Sequence, residues 1–266
     1  MRAPTPKPAT SPDLDSLSEE LRYAGSRERI SAICTELADH LRTFEIPEEY
    51  WAYVEIGRGP KKNFAQNLST AIAQKIADAL RPTLKGILPD AHGRRHEARA
   101  LGAAGPKKLD VVYMTQEMGV GLAISIKTIN FKDEKTKRYT KNIKRVDGEL
   151  RAEALDYHKR QPYAVFGALI FLPSDASEDG AAGRSSLRHA WEIFRRRGGR
   201  REHTDDQSLF EVVYLCVYDS TEEHFGRCRC YSVTGEMPFT GLPDQELTLS
   251  DVLKDVRDTF TTRNSK

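Results

Sequence analysis

The sequence predicts a mixed α/β (α+β) fold in which a central mixed sheet is flanked by helices, with helical additions at both ends. Helical and strand-type apolar patterns follow one another in the order helix, strand, strand, helix, strand, helix, strand, which is typical of a sheet covered by helices. A chain of 266 residues with 39% hydrophobic residues is also long enough to bury a sizeable core.

The helices are predicted from apolar residues that recur at helical spacing. They cover residues 63–80, 142–159, 185–197 and 247–260, and two shorter helices lie within residues 14–44. Pro82 follows the first long helix closely, as expected after a helix end. Gly148 weakens the second long helix slightly, because glycine is a poor helix former.

The strands are predicted from short runs of β-branched and aliphatic residues bounded by turn residues. They cover residues 51–56, 108–114, 121–129, 163–172, 210–218 and 227–233. Residues 91–107 are rich in Gly, His and Arg and predict a loop or a frayed short strand. The polar segment 130–141 is expected to become ordered on a ligand, and residues 174–183 to form a flexible loop.

Four regions follow from these elements. Residues 1–13 predict a disordered lead-in without the apolar segment of a secretory signal, and residues 14–48 a helical N-terminal segment. Residues 49–175 form the predicted core, and residues 176–266 an extension that completes the sheet and carries an arginine-rich stretch. No apolar stretch approaches the roughly 20 residues needed to cross a membrane.

The four cysteines do not form a recognisable disulfide or zinc framework. Cys228 and Cys230 are one residue too close for the usual zinc-binding pair, and no second pair accompanies them. Reduced thiols in a cytoplasmic protein are therefore expected. No GxGxxG or P-loop glycine pattern is present, which excludes the commonest nucleotide-binding classes.

Asp110 and Lys127 are charged residues within two adjacent apolar runs, where apolar or neutral side chains are usual. A hairpin of this length brings the carboxylate beside the ammonium. An acid beside a lysine at a sheet edge suits Mg²⁺ binding and activation of water, so phosphodiester hydrolysis is the leading hypothesis. A salt bridge across the hairpin is the structural alternative, although a buried pair is costly to desolvate.

The order of elements around these two residues resembles the PD-(D/E)XK nuclease superfamily, the restriction-endonuclease-like fold. In that family a helix precedes a strand with an aspartate, and the next strand carries an acid, any residue and a lysine. Residues 63–80, Asp110, Lys127 and the helix and strand over residues 142–172 match this order. The resemblance covers about the middle half of the chain, and Leu109 stands where the family often has proline.

Ser125 stands where the family's second acid is expected. The resemblance implies a Ser-X-Lys variant, in which the following helix supplies the missing carboxylate. Glu153 is the favoured candidate because small residues surround it, Glu149 lies one turn earlier on the same helix face, and Glu97 is a third candidate before the first strand. Asp110 and Glu153 are accordingly the expected Mg²⁺ ligands. Arg145 and Arg151 offer Glu149 and Glu153 an alternative role as ion-paired surface residues.

Positive charge is concentrated in two segments, although the net charge is only +2. Basic segments of this kind suit contacts to DNA phosphates, and arginine can also bind the edges of guanine bases. The alternative interpretation is that both segments are solvated basic surfaces without a DNA partner. The predicted DNA-binding residues are Lys132, Lys135, Lys137, Arg138, Lys141, Arg195, Arg196, Arg197, Arg200 and Arg201.

These observations lead to three hypotheses. The first is a Mg²⁺-dependent endonuclease acting on duplex DNA as a homodimer, of the type II-like restriction or phage-defence kind. The second is a nuclease-fold DNA-binding protein without catalysis, because a hydroxyl is a weak substitute for the missing acid. The third is a protein-interaction scaffold whose basic loops only increase solubility; failure to bind duplex DNA at any salt concentration would favour it.

Overall fold

The computed structural model describes residues 58–92, 98–103, 105–180, 183–219 and 228–264. The predicted lead-in, the N-terminal helices and the strand over residues 51–56 lie outside the described residues. Among the described helices, none combines the length and apolar character that a membrane span requires.

The described elements comprise four α-helices and seven strands. They are α1 (Arg58–Leu80), β1 (Ala98–Gly102), β2 (Gly105–Leu109), β3 (Val111–Thr115), β4 (Gly119–Thr128), α2 (Ile143–Arg160), β5 (Val165–Pro173), α3 (Ser186–Phe194), β6 (Val212–Tyr218), β7 (Cys228–Ser232) and α4 (Leu249–Asn264). Two short 3₁₀ helices, Thr140–Asn142 and Ser174–Ser177, precede α2 and follow β5.

The five strands β3 to β7 form one mixed sheet in sequence order, and β1 and β2 form a separate antiparallel hairpin. The β3/β4 and β6/β7 pairs are antiparallel, whereas β4/β5 and β5/β6 are parallel. A parallel pair needs a long crossover, and α2 and α3 lie in the two crossovers. The predicted mixed sheet flanked by helices is confirmed, and β6 and β7 extend it from residues beyond 176.

Helices cover both faces of this sheet. Side chains alternate along each strand, so Ile124 and Ile126 of β4 join a core with α1 and α4, while Ala123 joins a second core with α2 and α3. Strand β5 is buried along its whole length, as its continuous apolar run predicts. The face covered by α2 and α3 is the one that positions the candidate site.

The prediction of one strand over residues 108–114 is wrong, because the chain changes partners at Asp110. Strand β2 ends at Leu109 and pairs with β1, whereas β3 begins at Val111 and pairs with β4. The β1/β2 hairpin lies in a region where polar residues and glycine hid the strand pattern. Gly105, with φ of 122°, permits its turn, since other residues rarely adopt that conformation.

Candidate active site

Ser125 and Lys127 project from β4 toward α2. They alternate with Ile124 and Ile126, whose side chains lie in the core on the opposite face. Ser125 is buried, and Lys127 retains 17% of its side-chain exposure. Because β4 is followed by the crossover to α2, the strand that carries the Ser-X-Lys sequence lies beneath the helix that follows it.

Glu153 of α2 contacts both of these side chains. The Ser125 hydroxyl donates a hydrogen bond of 2.7 Å to Glu153 Oε2, and the Lys127 ammonium donates one of 2.6 Å to Glu153 Oε1. Leu150 and Ala154, on the buried face of α2, fix the helix against the sheet and so fix the position of Glu153. The structure therefore brings together the strand serine, the strand lysine and the helix glutamate that the sequence singled out.

Asp110 approaches the same stretch of β4 from the β3 side. Its Oδ2 accepts a 2.7 Å hydrogen bond from the backbone N–H of Ile126, the residue between Ser125 and Lys127. Asp110 directly precedes Val111, which pairs with Ile124 across the hairpin. Two carboxylates thus hold residues 125–127, one through the backbone and the other through the side chains.

The Lys127 ammonium is bonded to a carboxylate other than that of Asp110, the partner that the sequence predicted. The carboxylate hydrogen-bonded to the Lys127 ammonium is that of Glu153, while Glu149 Oε2 lies 4.0 Å from it. Glu149 is more exposed than Glu153 and forms an ion pair with Arg145, one turn earlier on α2. Glu149 therefore lies at the margin of the cluster. Glu97, the third candidate, lies outside the described residues.

The carboxylate and hydroxyl oxygens that meet at residues 125–127 are of the kind that hard cations prefer. Within the described residues there is no group of three or more His, Cys, Asp and Glu side chains that could hold a metal ion. Mg²⁺, however, is commonly bound by one or two carboxylates together with water and substrate phosphate oxygens. Asp110 and Glu153 supply two carboxylates around one tripeptide, and the Ser125 hydroxyl adds a neutral oxygen.

The basic segment between β4 and α2 contains a turn organised by Asp133. Asp133 accepts hydrogen bonds from Lys141 and from the backbone N–H groups of Lys135 and Thr136. The hydrogen bond from Lys141, followed by that from Thr136, lowers the pKa of Asp133 to about 2. Asp133 thus supplies an internal hydrogen-bonding partner for this segment, and its ordering on a ligand stays a prediction.

The five cations predicted to bind DNA in this segment divide into two groups. Lys132 forms a 2.6 Å ion pair with Asp175, and Arg138 donates to the backbone carbonyl of Arg184 at 2.5 Å. Lys135, Lys137 and Lys141 are exposed, with Lys141 also bonded to Asp133. The exposed lysines belong to the connection that leaves the Lys127 end of β4 and leads to α2.

The arginines that follow α3 differ in their exposure and in their partners, although they look alike in sequence. Arg200 is buried and ion-paired with Glu211, which excludes it as a surface contact to DNA in this conformation. Arg197 forms two hydrogen bonds with Asp147 of α2, and the guanidinium of Arg195 lies 4.5 Å from the centre of the Trp191 ring. The remaining members, Arg196 and Arg201, are exposed.

The sequence interpretation missed the buried cluster that surrounds Glu211. Glu211 Oε2 accepts a 2.8 Å hydrogen bond from the backbone N–H of Phe166 and lies 3.4 Å from His158 Nε2. Arg263 of α4 approaches Glu211 Oε1 at 3.3 Å. An acid directly before a buried strand was the available signal, but its basic partners come from distant parts of the chain. This cluster joins α2, the start of β6 and α4.

Comparisons with models of protein families, with curated proteins and with solved structures gave no match.

Proposed function

We propose that this protein is a Mg²⁺-dependent DNA endonuclease that hydrolyses phosphodiester bonds, of the type II-like restriction or phage-defence kind. The observation that carries the proposal is the contact of Ser125 and Lys127 with Glu153, beside the carboxylate of Asp110. A Ser-X-Lys strand needs a carboxylate from the following helix, and Glu153 lies within hydrogen-bond distance of both strand side chains. The geometry thus supports the chemistry that the motif implies.

In this proposal each residue of the cluster has a separate role. Asp110 and Glu153 would bind Mg²⁺, and Ser125 would orient the Glu153 carboxylate through its hydroxyl. When bound, Mg²⁺ polarises the scissile phosphate and lowers the pKa of a coordinated water. Lys127 would orient the attacking water and stabilise the negative charge that develops on the phosphate oxygens. Its contact with Glu153 keeps the ammonium at the site.

The DNA backbone would lie along the exposed lysines next to this cluster. Lys135, Lys137 and Lys141 extend from the turn between β4 and α2, and phosphate contacts of this kind position a duplex without reading its sequence. Arg196 and Arg201 remain available as a second set, whereas Arg200 is withdrawn from the predicted contacts because it is buried. Cutting both strands with one site per chain favours a homodimer.

The proposal is tested by incubating the full chain with duplex, branched and single-stranded DNA, with Mg²⁺ and with EDTA. We expect cleavage that requires Mg²⁺ and stops when EDTA removes the metal. Sequencing of the cut ends then shows whether cleavage occurs at one recognition sequence, as a restriction-type enzyme requires. Cleavage that persists in EDTA, or intact DNA in every combination, would contradict the proposal.

A nuclease-fold DNA-binding protein without catalysis is the second candidate. It is favoured by the serine at position 125, which leaves two carboxylates in the described cluster, and by the engagement of the Lys127 ammonium by Glu153. This candidate predicts duplex binding that weakens steeply with salt and no cleavage with Mg²⁺ or Mn²⁺. The same substrate panel, measured for binding as well as cutting, separates the two functions.

Replacing Glu153 should affect cleavage far more than replacing Glu149. Glu153→Gln removes a proposed Mg²⁺ ligand, so we expect the single-turnover cleavage rate to fall by about 100-fold or more. Glu149→Gln, one helical turn away and more exposed, should lower the rate by less than about tenfold, because it alters only the charge near Lys127. Equal losses of cleavage rate in the two variants would contradict the proposed role of Glu153 as a Mg²⁺ ligand.

A further inference from the structure

Three of the four cysteines lie together on adjacent strands β6 and β7. Cys216 and Cys230 are directly opposed in the register of the two strands, and their sulfur atoms are 3.5 Å apart. Both side chains are fully buried, and both are free thiols. Cys228 is also a free thiol, lies two residues before Cys230 and is only partly buried. The fold therefore brings a buried dithiol close to a third thiol that is only partly buried.

The backbone around Cys230 allows the buried pair to close without a change of register. The N–H and C=O groups of Cys230 both form hydrogen bonds with Leu247, on the side away from β6. Cys216 and Cys230 are therefore a non-hydrogen-bonded pair, in which Cα atoms are about 4.5 Å apart. That separation lies within the usual range for disulfides of roughly 4.4 to 6.8 Å.

The three thiols differ in their readiness to ionise. Hydrogen bonds from Cys216 and Cys230 hold the pKa of Cys228 below its usual value, and the charge of Arg229 acts in the same direction. Burial raises the pKa of Cys216. Since the thiolate is the reactive form of cysteine, the lowered pKa and the partial exposure of Cys228 both favour it as the first of the three thiols to react.

We propose that Cys216, Cys228 and Cys230 form a peroxide-reactive thiol site, in which Cys228 meets the oxidant and Cys216 and Cys230 close to a cross-strand disulfide. The Cys228 thiolate attacks hydrogen peroxide, forming an S–O bond as the O–O bond breaks and hydroxide leaves. Cys216 then attacks the Cys228 sulfur, forming an S–S bond and releasing water. Cys230 attacks the Cys216 sulfur and expels the Cys228 thiolate. In total, two thiols and one peroxide give one disulfide and two waters.

The test treats the full chain with hydrogen peroxide, blocks remaining thiols by alkylation and maps the peptides by mass spectrometry without reduction. We expect a peptide pair joined through Cys216 and Cys230 that dithiothreitol reverses. Cys228→Ser should slow formation of this disulfide by about tenfold or more, because the buried thiols are shielded from peroxide. Cys34→Ser is the matched control and should leave the rate unchanged.

Two results would overturn the proposal. One is the recovery of Cys216 and Cys230 as thiols while Cys228 proceeds to sulfinic acid, which would show that the buried pair does not close. Alternatively, Cys228→Ser could form the disulfide at the wild-type rate, which would remove Cys228 from its role. Mapping of the wild-type chain decides the first point even if a variant fails to fold. The readout does not depend on DNA cleavage, so it is independent of the proposed nuclease function.

Discussion

Asp110→Asn is expected to abolish Mg²⁺-dependent DNA cleavage while leaving the fold and DNA binding intact. The variant removes one of two proposed metal-binding carboxylates, which we expect to cost several kcal/mol of transition-state stabilisation. At 1.36 kcal/mol per factor of ten, this corresponds to a rate loss of about 1,000-fold or more. The asparagine carbonyl oxygen can still accept the hydrogen bond from the Ile126 N–H, so the hairpin should be preserved.

Lys127→Met should give a comparable loss for a different reason. It keeps both carboxylates but removes the cation that would orient water and stabilise the developing charge, which we expect to cost about 100- to 1,000-fold. Asp258→Asn and Lys254→Met, an exposed pair on α4 across the sheet, are the matched controls and should cut at the wild-type rate. Single-turnover cleavage, circular dichroism and duplex binding measured on all four variants separate lost chemistry from lost folding. Wild-type rates in either site variant would exclude that residue from the site.

Arg200→Met is expected to destabilise the protein by about 3 to 5 kcal/mol, because it leaves the buried Glu211 carboxylate without its nearest charged partner. Neither the Arg200 nor the Glu211 side chain has any exposed surface. Arg200 also donates hydrogen bonds of 2.9 and 3.0 Å to the backbone carbonyls of Pro162 and His203, and these acceptors would lose a donor. Urea unfolding at neutral pH measures the change.

The loss in Arg200→Met should also depend on pH. Burial raises the pKa of Glu211, but its contacts with His158, the Phe166 N–H and Arg200 outweigh this and leave the pKa below its usual 4.5. A carboxyl with a lowered pKa contributes stability above its unfolded-state pKa and loses it as the pH falls through the folded-state value. The difference between the variant and wild type should therefore be full at pH 7 and shrink below about pH 4.5.

Arg201→Met provides the matched control for this prediction. Arg201 is adjacent in sequence but exposed, so its replacement should change the free energy of unfolding by less than about 0.5 kcal/mol. If Arg200→Met changed stability as little as Arg201→Met does, the buried ion pair would not be a major contribution to the fold.

The elements that the sequence predicted well are those whose pattern is local. The apolar spacing over residues 142–159 matches α2, Ile143–Arg160, and the continuous run ending at Leu172 matches β5, Val165–Pro173. In the candidate site, the spacing of two residues puts Ser125 and Lys127 on one face of β4, and the helical spacing placed Glu153 and Glu149 on one side of α2.

The features that the sequence could not give depend on partners from distant parts of the chain. The change of strand partner occurs at Asp110, whose carboxylate accepts a hydrogen bond from the backbone of Ile126, sixteen residues away. The β1/β2 hairpin is short and polar, so it lacks the apolar pattern by which strands are found. Arg200 resembles its basic neighbours in sequence, and only the folded chain brings it to Glu211.

The central claim is that the carboxylate of Glu153 takes the place of the acid missing at Ser125. The most direct measurement compares the Mg²⁺-dependent cleavage rate of Glu153→Ser with that of the exchanged double variant Ser125→Glu/Glu153→Ser. The two side chains are 2.7 Å apart, so the exchange conserves volume and returns a carboxylate to nearly the same place from the strand. We expect the single variant to be inactive and the double variant to recover at least about tenfold in rate. A fully active single variant, or a double variant no faster than the single one, would contradict the claim.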